Sequence, residues 1–99
     1  MYFIVNGYDH TDENALNRRM EARDEHMKGV KAFHESKNFL FAAAMLNEEG
    51  KMCGSTMIVD FEDRPALDKW LEEEAYVKGN VWERVEVNEC KIPPMFLGE

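Results

Sequence analysis

The order of strand-like and helix-like segments is the feature that most constrains how this chain can fold. Short runs rich in aromatic and β-branched residues indicate strands, and longer stretches with helical periodicity lie between them. The predicted segments are a strand at Tyr2–Tyr8, a helix at Glu13–Ser36, strands at Asn38–Leu46 and Met52–Phe61, a helix at Arg64–Lys78 and a strand at Val81–Cys90. This βαββαβ order predicts an α+β fold, with a four-stranded antiparallel sheet that carries both helices on one face.

The second predicted strand is apolar on both of its sides. Simple alternation along the strand places Phe39, Phe41, Ala43 and Met45 on one side and Leu40, Ala42, Ala44 and Leu46 on the other. One side can meet the helices, whereas the other needs a cover that a single domain of 99 residues does not contain. We therefore expect a homodimer in which the open sheet faces pack together.

Composition excludes several classes of function. A net charge of −8 argues against binding to nucleic acid or to anionic membranes, although a few local cations can still bind a small anionic molecule. No apolar run approaches the roughly 20 residues of a membrane span, and "MYFIVNGYDH" lacks the pattern of a signal peptide. Cys53 and Cys90 have no metal-ligand spacing and are typical of reduced thiols. We expect a soluble cytoplasmic protein.

The first predicted helix carries basic and titratable side chains on its apolar side. On a helical wheel with steps of about 100°, the apolar arc contains Leu16, Met20, Met27, Val30 and Phe33. Arg19, Arg23 and His26 fall within this arc, one turn above another. Such groups are costly in an interior unless they are paired or border a cavity. Either the arginine stems extend to solvent while His26 bonds a backbone carbonyl, or the three residues line a site.

The second predicted helix has an acidic residue in an equivalent position. Glu74 follows Trp70 and Leu71 onto the apolar stripe of this helix. Because both helices cover the same sheet face, we expect His26 and Glu74 to approach one another. The alternative is that the helix loosens before Glu74 and the carboxylate pairs with a nearby lysine.

Three segments together resemble the YciI-related family: "RRMEARDEHM", "GSTMIVDFED" and "EAYVKGNVWERVEV". They resemble its Arg-x3-Arg-x2-His helix, its Gly-Ser-Thr strand and its Asp-Pro-Tyr segment before the last strand. The resemblance extends from Tyr2 to Phe96 and implies a ferredoxin-like domain that pairs into a dimeric α+β barrel. It also implies an active site formed by a histidine and an acidic partner, which are His26 and Glu74 in this chain. Relatives of the family include a dehydrochlorinase, and the wider superfamily includes isomerases and cofactor-free monooxygenases.

The chain departs from the family pattern in two places. The Asp-Pro-Tyr segment is Glu74-Ala75-Tyr76, so its acidic side chain is one methylene longer and the proline is absent. The family's Ala-Gly-Pro segment in the second strand is Ala42-Ala43-Ala44. Each change is compatible with an altered substrate or with a lost activity.

The leading hypothesis is a small-molecule enzyme that uses neither a metal nor an organic cofactor. His26 would act as a general base or acid, and Glu74 would fix the tautomer of its ring. Arg19 and Arg23 would hold an anionic group or a developing enolate, and Tyr76 would contact the substrate. The expected reaction is proton abstraction followed by elimination or isomerisation.

Other classes of function remain open from the sequence. A non-catalytic dimer would bind an anionic metabolite through the same arginines. A purely structural protein would use His26 and the arginines in internal salt bridges with no cavity beside them. A metal site is the weakest hypothesis, because His10, His26 and His34 lack ligand spacing. Ser55 has no activating partner in the sequence, and we interpret it as structural.

Overall fold

The computed structural model describes residues 1–98 of the chain. Its elements are β1 (Tyr2–Asp9), α1 (Ala15–Glu35), β2 (Phe39–Leu46), β3 (Met52–Asp60), α2 (Arg64–Glu73), α3 (Ala75–Lys78), β4 (Trp82–Cys90) and a short 3₁₀ helix (Pro94–Leu97). The predicted βαββαβ order is therefore present, with α3 as a short addition before the last strand.

The four strands form one antiparallel sheet in the order β2-β3-β1-β4. In the central strand β1, Val5 lies opposite Met57 of β3 and Val87 of β4. This topology is the ferredoxin-like α+β fold that the sequence predicts. β2 and β4 are its edge strands.

Both long helices pack on the same face of this sheet. Alternate residues of β1 are buried, and they begin with Phe3 and Val5. These two side chains share one core with Leu67 and Trp70 of α2, and Phe33 of α1 packs against that core. Neither α1 nor α2 packs on the opposite face of the sheet, so we call it the open face.

A bulge in β2 changes the sides that simple alternation predicts. Phe39 pairs with the buried Val59, but the register then shifts so that Phe41 pairs with Ile58. Ala42 and Ala44 therefore lie on the helix side, opposite Met57 and Ser55 in turn, whereas Phe41, Ala43 and Met45 lie on the open face. The predicted grouping of Phe39 with Phe41 was wrong, because an extra residue in a bulge reverses the alternation beyond it.

The second helix is shorter than predicted. α2 ends at Glu73, and Glu74 has an extended backbone with φ −66° and ψ 132°. Its carboxylate accepts a hydrogen bond from the Tyr76 N–H and so caps α3. A wheel drawn through Glu74 as part of one continuous helix is therefore incorrect, although the chain still directs this side chain into the protein.

Large apolar side chains are exposed on the open face and beyond it. Phe41 is 55% exposed, Leu46 61% and Phe96 75%. A hollow of about 370 Å³ lies on the open face between Ile4, Ile58 and the segment after β4. No helix within residues 1–98 is long and apolar enough to cross a membrane.

Candidate active site

The first helix buries charged groups while it exposes apolar ones. Its buried residues are Ala15, Arg19 and His26. Met20 and Met27, from the same predicted apolar arc, are 49% and 45% exposed. The side of α1 that faces the sheet near its N-terminus therefore serves a polar site.

His26 and Glu74 form a buried pair between α1 and the residue that caps α3. The Nδ1–H of His26 donates a hydrogen bond to Oε1 of Glu74, which also accepts the Tyr76 N–H at 3.2 Å. The His26 ring is stacked on the Tyr76 ring, with 3.9 Å between the centroids and 11° between the planes. Nε2 of His26 makes no hydrogen bond to any atom of residues 1–98, so one ring nitrogen is held and the other is free.

A second buried network joins β1, α1 and β3. Nη1 of Arg19 donates to the Asp9 carboxylate at 2.9 and 3.2 Å, and its Nη2 donates to Oγ of Ser55 at 2.9 Å. All three residues are at least 93% buried, since Asp9 is the most exposed at 7%. Burial raises the pKa of the Asp9 carboxyl, and the charge and hydrogen bonds of Arg19 oppose that rise.

Tyr76 connects the two networks. The guanidinium of Arg19 lies 4.8 Å from the centroid of the Tyr76 ring, and the Trp82 ring contacts its edge at a centroid distance of 5.5 Å. Trp82 in turn lies on the backbone of Gly7, where a Cβ atom would come within 2.3 Å of the indole. Burial raises the pKa of the Tyr76 hydroxyl, which is therefore protonated at neutral pH.

These residues border a cavity of about 270 Å³, which we call the site cavity. One part of its wall is polar, and this part consists of Arg19, Arg23, His26, Ser55 and Tyr76. The remainder is apolar and consists of Met27, Val30, Met52, Met57 and the segment Ala42–Ala44. Arg23 is solvent-exposed and forms no ion pair with any residue between Met1 and Gly98. The site cavity therefore has one cationic side chain without an acidic partner, Arg23, and a wall with both polar and apolar lining residues.

The structure brings together all five residues that the sequence predicts for the site. Four of them line the site cavity, namely Arg19, Arg23, His26 and Tyr76, and Glu74 contacts His26 from behind. The two arginines differ, because Arg19 is already bonded to Asp9 and Ser55. In the described part of the chain, no group of three or more His, Cys, Asp or Glu side chains is arranged to hold a metal ion.

Asp9 and the contact between Ser55 and Arg19 were not predicted from the sequence. The signal for Asp9 was available: Phe3, Val5, Gly7 and Asp9 alternate on one side of β1, so the carboxylate continues a buried row. Ser55 accepts a hydrogen bond from Arg19 and lines the site cavity, although its partner is 36 residues away in sequence. No local pattern announces that contact.

Comparison with known proteins supports the family resemblance that the sequence indicates. The family model of the YCII-related domain matches residues 1–91 of this chain. Protein YciI of Escherichia coli O6:H1 is 29% identical over 97 residues, and the match covers 92% of this chain and 97% of that protein. An uncharacterized protein of Haemophilus influenzae has the same identity over the same length, with equal coverage.

The solved structures that share the fold include an enzyme and a protein of unknown function. The first is 5-chloro-2-hydroxyhydroquinone dehydrochlorinase (TftG) of Burkholderia phenoliruptrix AC1100, in complex with 2,5-dihydroxybenzoquinone, with a TM-score of 0.82 and 16% identity over 96% of this chain and 98% of that one. The second is a dimeric ferredoxin-like protein of unknown function from Jannaschia sp. CCS1, with a TM-score of 0.53 and 16% identity over 92% of this chain and 98% of that one. The fold agrees with the match of residues 1–91 to the family model of the YCII-related domain. The chain belongs to the YCII-related family.

Proposed function

We propose that this protein is a cofactor-independent enzyme that abstracts a proton from a small anionic substrate, with elimination or isomerisation as the outcome. The observation that carries the proposal is a histidine whose one ring nitrogen is held by a buried carboxylate beside a cavity with an unpaired arginine. We further propose that it works in the cytoplasm, where free thiols such as Cys53 and Cys90 persist.

His26 is the proposed base. Because Glu74 accepts the hydrogen on Nδ1, the neutral ring carries its lone pair on Nε2, where it can accept a proton. The Glu74 carboxylate then stabilises the imidazolium that forms, since a charged donor makes the stronger hydrogen bond. The stacked Tyr76 ring restricts rotation of the imidazole. His26 and Glu74 are thus proposed to act as one catalytic pair.

The two arginines have different proposed roles toward an anion. Arg23 has no acidic partner within the described residues, and its guanidinium can bond an oxyanion directly. Arg19 lies in the wall of the site cavity and contributes positive charge, which its ion pair with Asp9 largely offsets. Tyr76 completes the proposed set of substrate contacts. Charge that develops on the substrate would be stabilised by these groups in a site that is partly shielded from water.

The fold neighbour TftG suggests the class of elimination to test first. Its name describes loss of chloride from a chlorinated hydroxyhydroquinone. In a reaction of that class, one hydroxyl proton first moves to the chlorine-bearing ring carbon, which gives a ketone tautomer with an sp³ C–Cl carbon. The base then accepts the proton of a second hydroxyl, the electron pair of that O–H bond moves through the conjugated system, and chloride leaves with the pair of the C–Cl bond. The overall change is loss of HCl, so no redox partner is required.

The test is chloride release from 5-chloro-2-hydroxyhydroquinone by the purified protein. We expect His26→Ala to lower kcat about 10²- to 10⁴-fold, which is the usual contribution of a general base. Glu74→Gln should lower kcat while the substrate still binds. His34→Ala is the matched control, because this histidine lies on the same helix but is exposed, and it should retain full activity. Equal turnover by the wild type and His26→Ala would refute the assignment.

A second function, binding of an anionic metabolite without chemistry, is favoured by the unpaired Arg23 alone. It predicts the same affinity for an anion but no turnover in any variant. Binding of 2,5-dihydroxybenzoquinone that is lost in Arg23→Gln, without measurable chloride release by the wild type, would support this second function over the first.

We also propose that the protein is a homodimer that pairs through the open face. Support comes from the exposed Phe41, from the hollow bordered by Ile4 and Ile58, and from the dimeric fold neighbour of Jannaschia. Phe41→Glu should convert the dimer to a monomer in sedimentation velocity. Val77→Glu is the control, because Val77 is also exposed (39%) but lies on α3, and it should leave the dimer intact.

A further inference from the structure

We propose that the hydroxyl groups of Ser55 and Tyr76 form an oxyanion-binding pair in the site cavity, which receives an enolate or phenolate oxygen of a one-ring substrate. This inference rests on the proposed use of the same cavity for a small anion. It adds Ser55 to the site, and it gives Tyr76 a specific chemical role as a hydrogen-bond donor.

The hydrogen of the Ser55 hydroxyl has no acceptor in the described chain. Oγ of Ser55 accepts a hydrogen bond from Nη2 of Arg19 at 2.9 Å. Because a guanidinium offers donors and no acceptor, the hydroxyl hydrogen must point away from Arg19. Ser55 is only 4% exposed and lines the site cavity. The remaining direction for this donor is therefore toward a ligand in the cavity.

The Tyr76 hydroxyl also lacks a hydrogen-bond acceptor within the described chain. Tyr76 is 1% exposed and lines the site cavity, yet its hydroxyl forms no hydrogen bond with any of residues 1–98. The stacked His26 ring and the edge contact with Trp82 fix the plane of the phenol. Burial raises the pKa of this hydroxyl, so it stays a donor over the neutral range. A donor that lines a cavity and has no protein partner is available to a ligand.

Arg19 links the two donors, since it bonds Ser55 and lies against the Tyr76 ring. Asp9 holds the guanidinium in place with two hydrogen bonds, so the Ser55 hydroxyl is oriented before a ligand arrives. Preorganised donors of this kind stabilise an oxyanion without the cost of reorganisation. The pair is therefore suited to charge that develops on a substrate oxygen.

The rest of the wall indicates the size and shape of the ligand. Beside Ser55, on the same side of the sheet, the wall contains Met57 and the small side chains of Ala42 and Ala44. A volume of about 270 Å³ is below the range of about 300–1,000 Å³ typical of sites for drug-sized ligands. A planar ring with an ionised oxygen at one edge fits this division into polar and apolar parts.

The experiment measures binding of 2,5-dihydroxybenzoquinone, an acidic one-ring enol, by calorimetry at neutral pH. We expect Ser55→Ala and Tyr76→Phe each to raise Kd about 10- to 100-fold, because each removes one hydrogen bond to a charged acceptor. Thr56→Ala is the matched control: Thr56 is the next residue of β3, it lies on the open face opposite Ala43, and its loss should change Kd less than about twofold.

Further variants separate folding and catalysis from binding. If Ser55→Ala fails to fold because Arg19 loses a partner, Ser55→Cys keeps a side chain of similar size but a much weaker donor, and it should still weaken binding. Glu74→Gln keeps the His26 ring stacked on Tyr76 and should bind the quinone while it loses turnover, so a failure of the base is distinguishable from a failure of the oxyanion pair. Wild-type affinity in Ser55→Ala, Ser55→Cys or Tyr76→Phe, or no binding by the wild type, would overturn the proposal.

Discussion

The layer between α1 and the sheet is filled in opposite ways at its two ends. The aromatic end, at the C-terminal part of α1, consists of Phe33, Phe39, Phe61 and Trp70, whose ring centroids lie between 5.1 and 6.1 Å apart. The polar end, at the N-terminal part of the same helix, consists of Asp9, Arg19, His26, Ser55 and Glu74. Both ends are buried by the same helix on the same sheet.

The difference separates what holds the fold together from what the fold is used for. Burial of large aromatic side chains stabilises the folded state by about 1.5–3 kcal/mol each. Buried ion pairs such as Asp9–Arg19 return little net stability, because desolvation offsets most of the attraction. A chain that required only stability would fill both ends with apolar residues. The polar end therefore supports a functional role for this region.

The largest expected effect on stability comes from the aromatic end. Trp70 contacts three phenylalanine rings, so Trp70→Ala should lower the free energy of unfolding by about 3–5 kcal/mol, measured by urea denaturation. If the two ends are independent, the folded variant should bind 2,5-dihydroxybenzoquinone with an affinity close to that of the wild type. A large loss of affinity in this variant would contradict the separation.

At the polar end, we expect a single substitution in the Asp9–Arg19 pair to lower stability more than replacement of both residues does. Asp9→Ala leaves the Arg19 charge buried without its partner, and it should lower the free energy of unfolding by about 3–5 kcal/mol. The double variant Asp9→Leu/Arg19→Met should recover most of that loss, because a well-packed apolar pair of similar size often replaces a buried ion pair without penalty. No recovery in urea denaturation would show that the pair itself stabilises the fold.

Substitutions of two glycines should have intermediate effects on stability, and they test how tightly the chain packs against Trp82. Gly7→Ala would place a Cβ atom 2.3 Å from the Trp82 ring, so we expect a loss of about 1–3 kcal/mol of stability from overpacking. Gly29→Ala in α1 meets nothing within 4 Å and should instead add about 0.5–1 kcal/mol. Thermal unfolding of both variants checks the opposite signs, and equal effects would show that the contact with Trp82 is not tight.

The smallest effect concerns an exposed ion pair close to the polar end. Arg18 bonds both carboxylate oxygens of Asp12, and this lowers the pKa of Asp12 from 3.8 to about 2. The resulting stabilisation is complete above pH 3.8 and is lost as the pH falls through about 2. Asp12→Asn should flatten stability against pH only in this acidic window, as measured by thermal unfolding. A change near pH 7 would contradict the assignment to this carboxyl.

Much of the fold and part of the site followed from periodicity. The helical wheel placed Arg19, Arg23 and His26 on the inward side of α1, and the structure finds all three at the site cavity. Helical spacing is local and regular, so it can be read without knowledge of the tertiary fold. The wheel failed at Glu74, since a change of one backbone ψ angle ended α2 there. It also failed in β2, where a bulge reversed the sides beyond Phe39.

By itself, the sequence determined the order of the elements, the membership of both helices in one layer and the cationic stripe of α1. These properties depend on neighbours along the chain. The sequence also led us to expect that His26 and Glu74 approach one another, whereas only the tertiary structure decided which of their atoms bond and that Ser55 meets Arg19 across 36 residues. Contacts between distant segments depend on how the helices dock on the sheet, which hydrophobic periodicity does not specify. The buried donors of Ser55 and Tyr76 became visible only when those segments were in place.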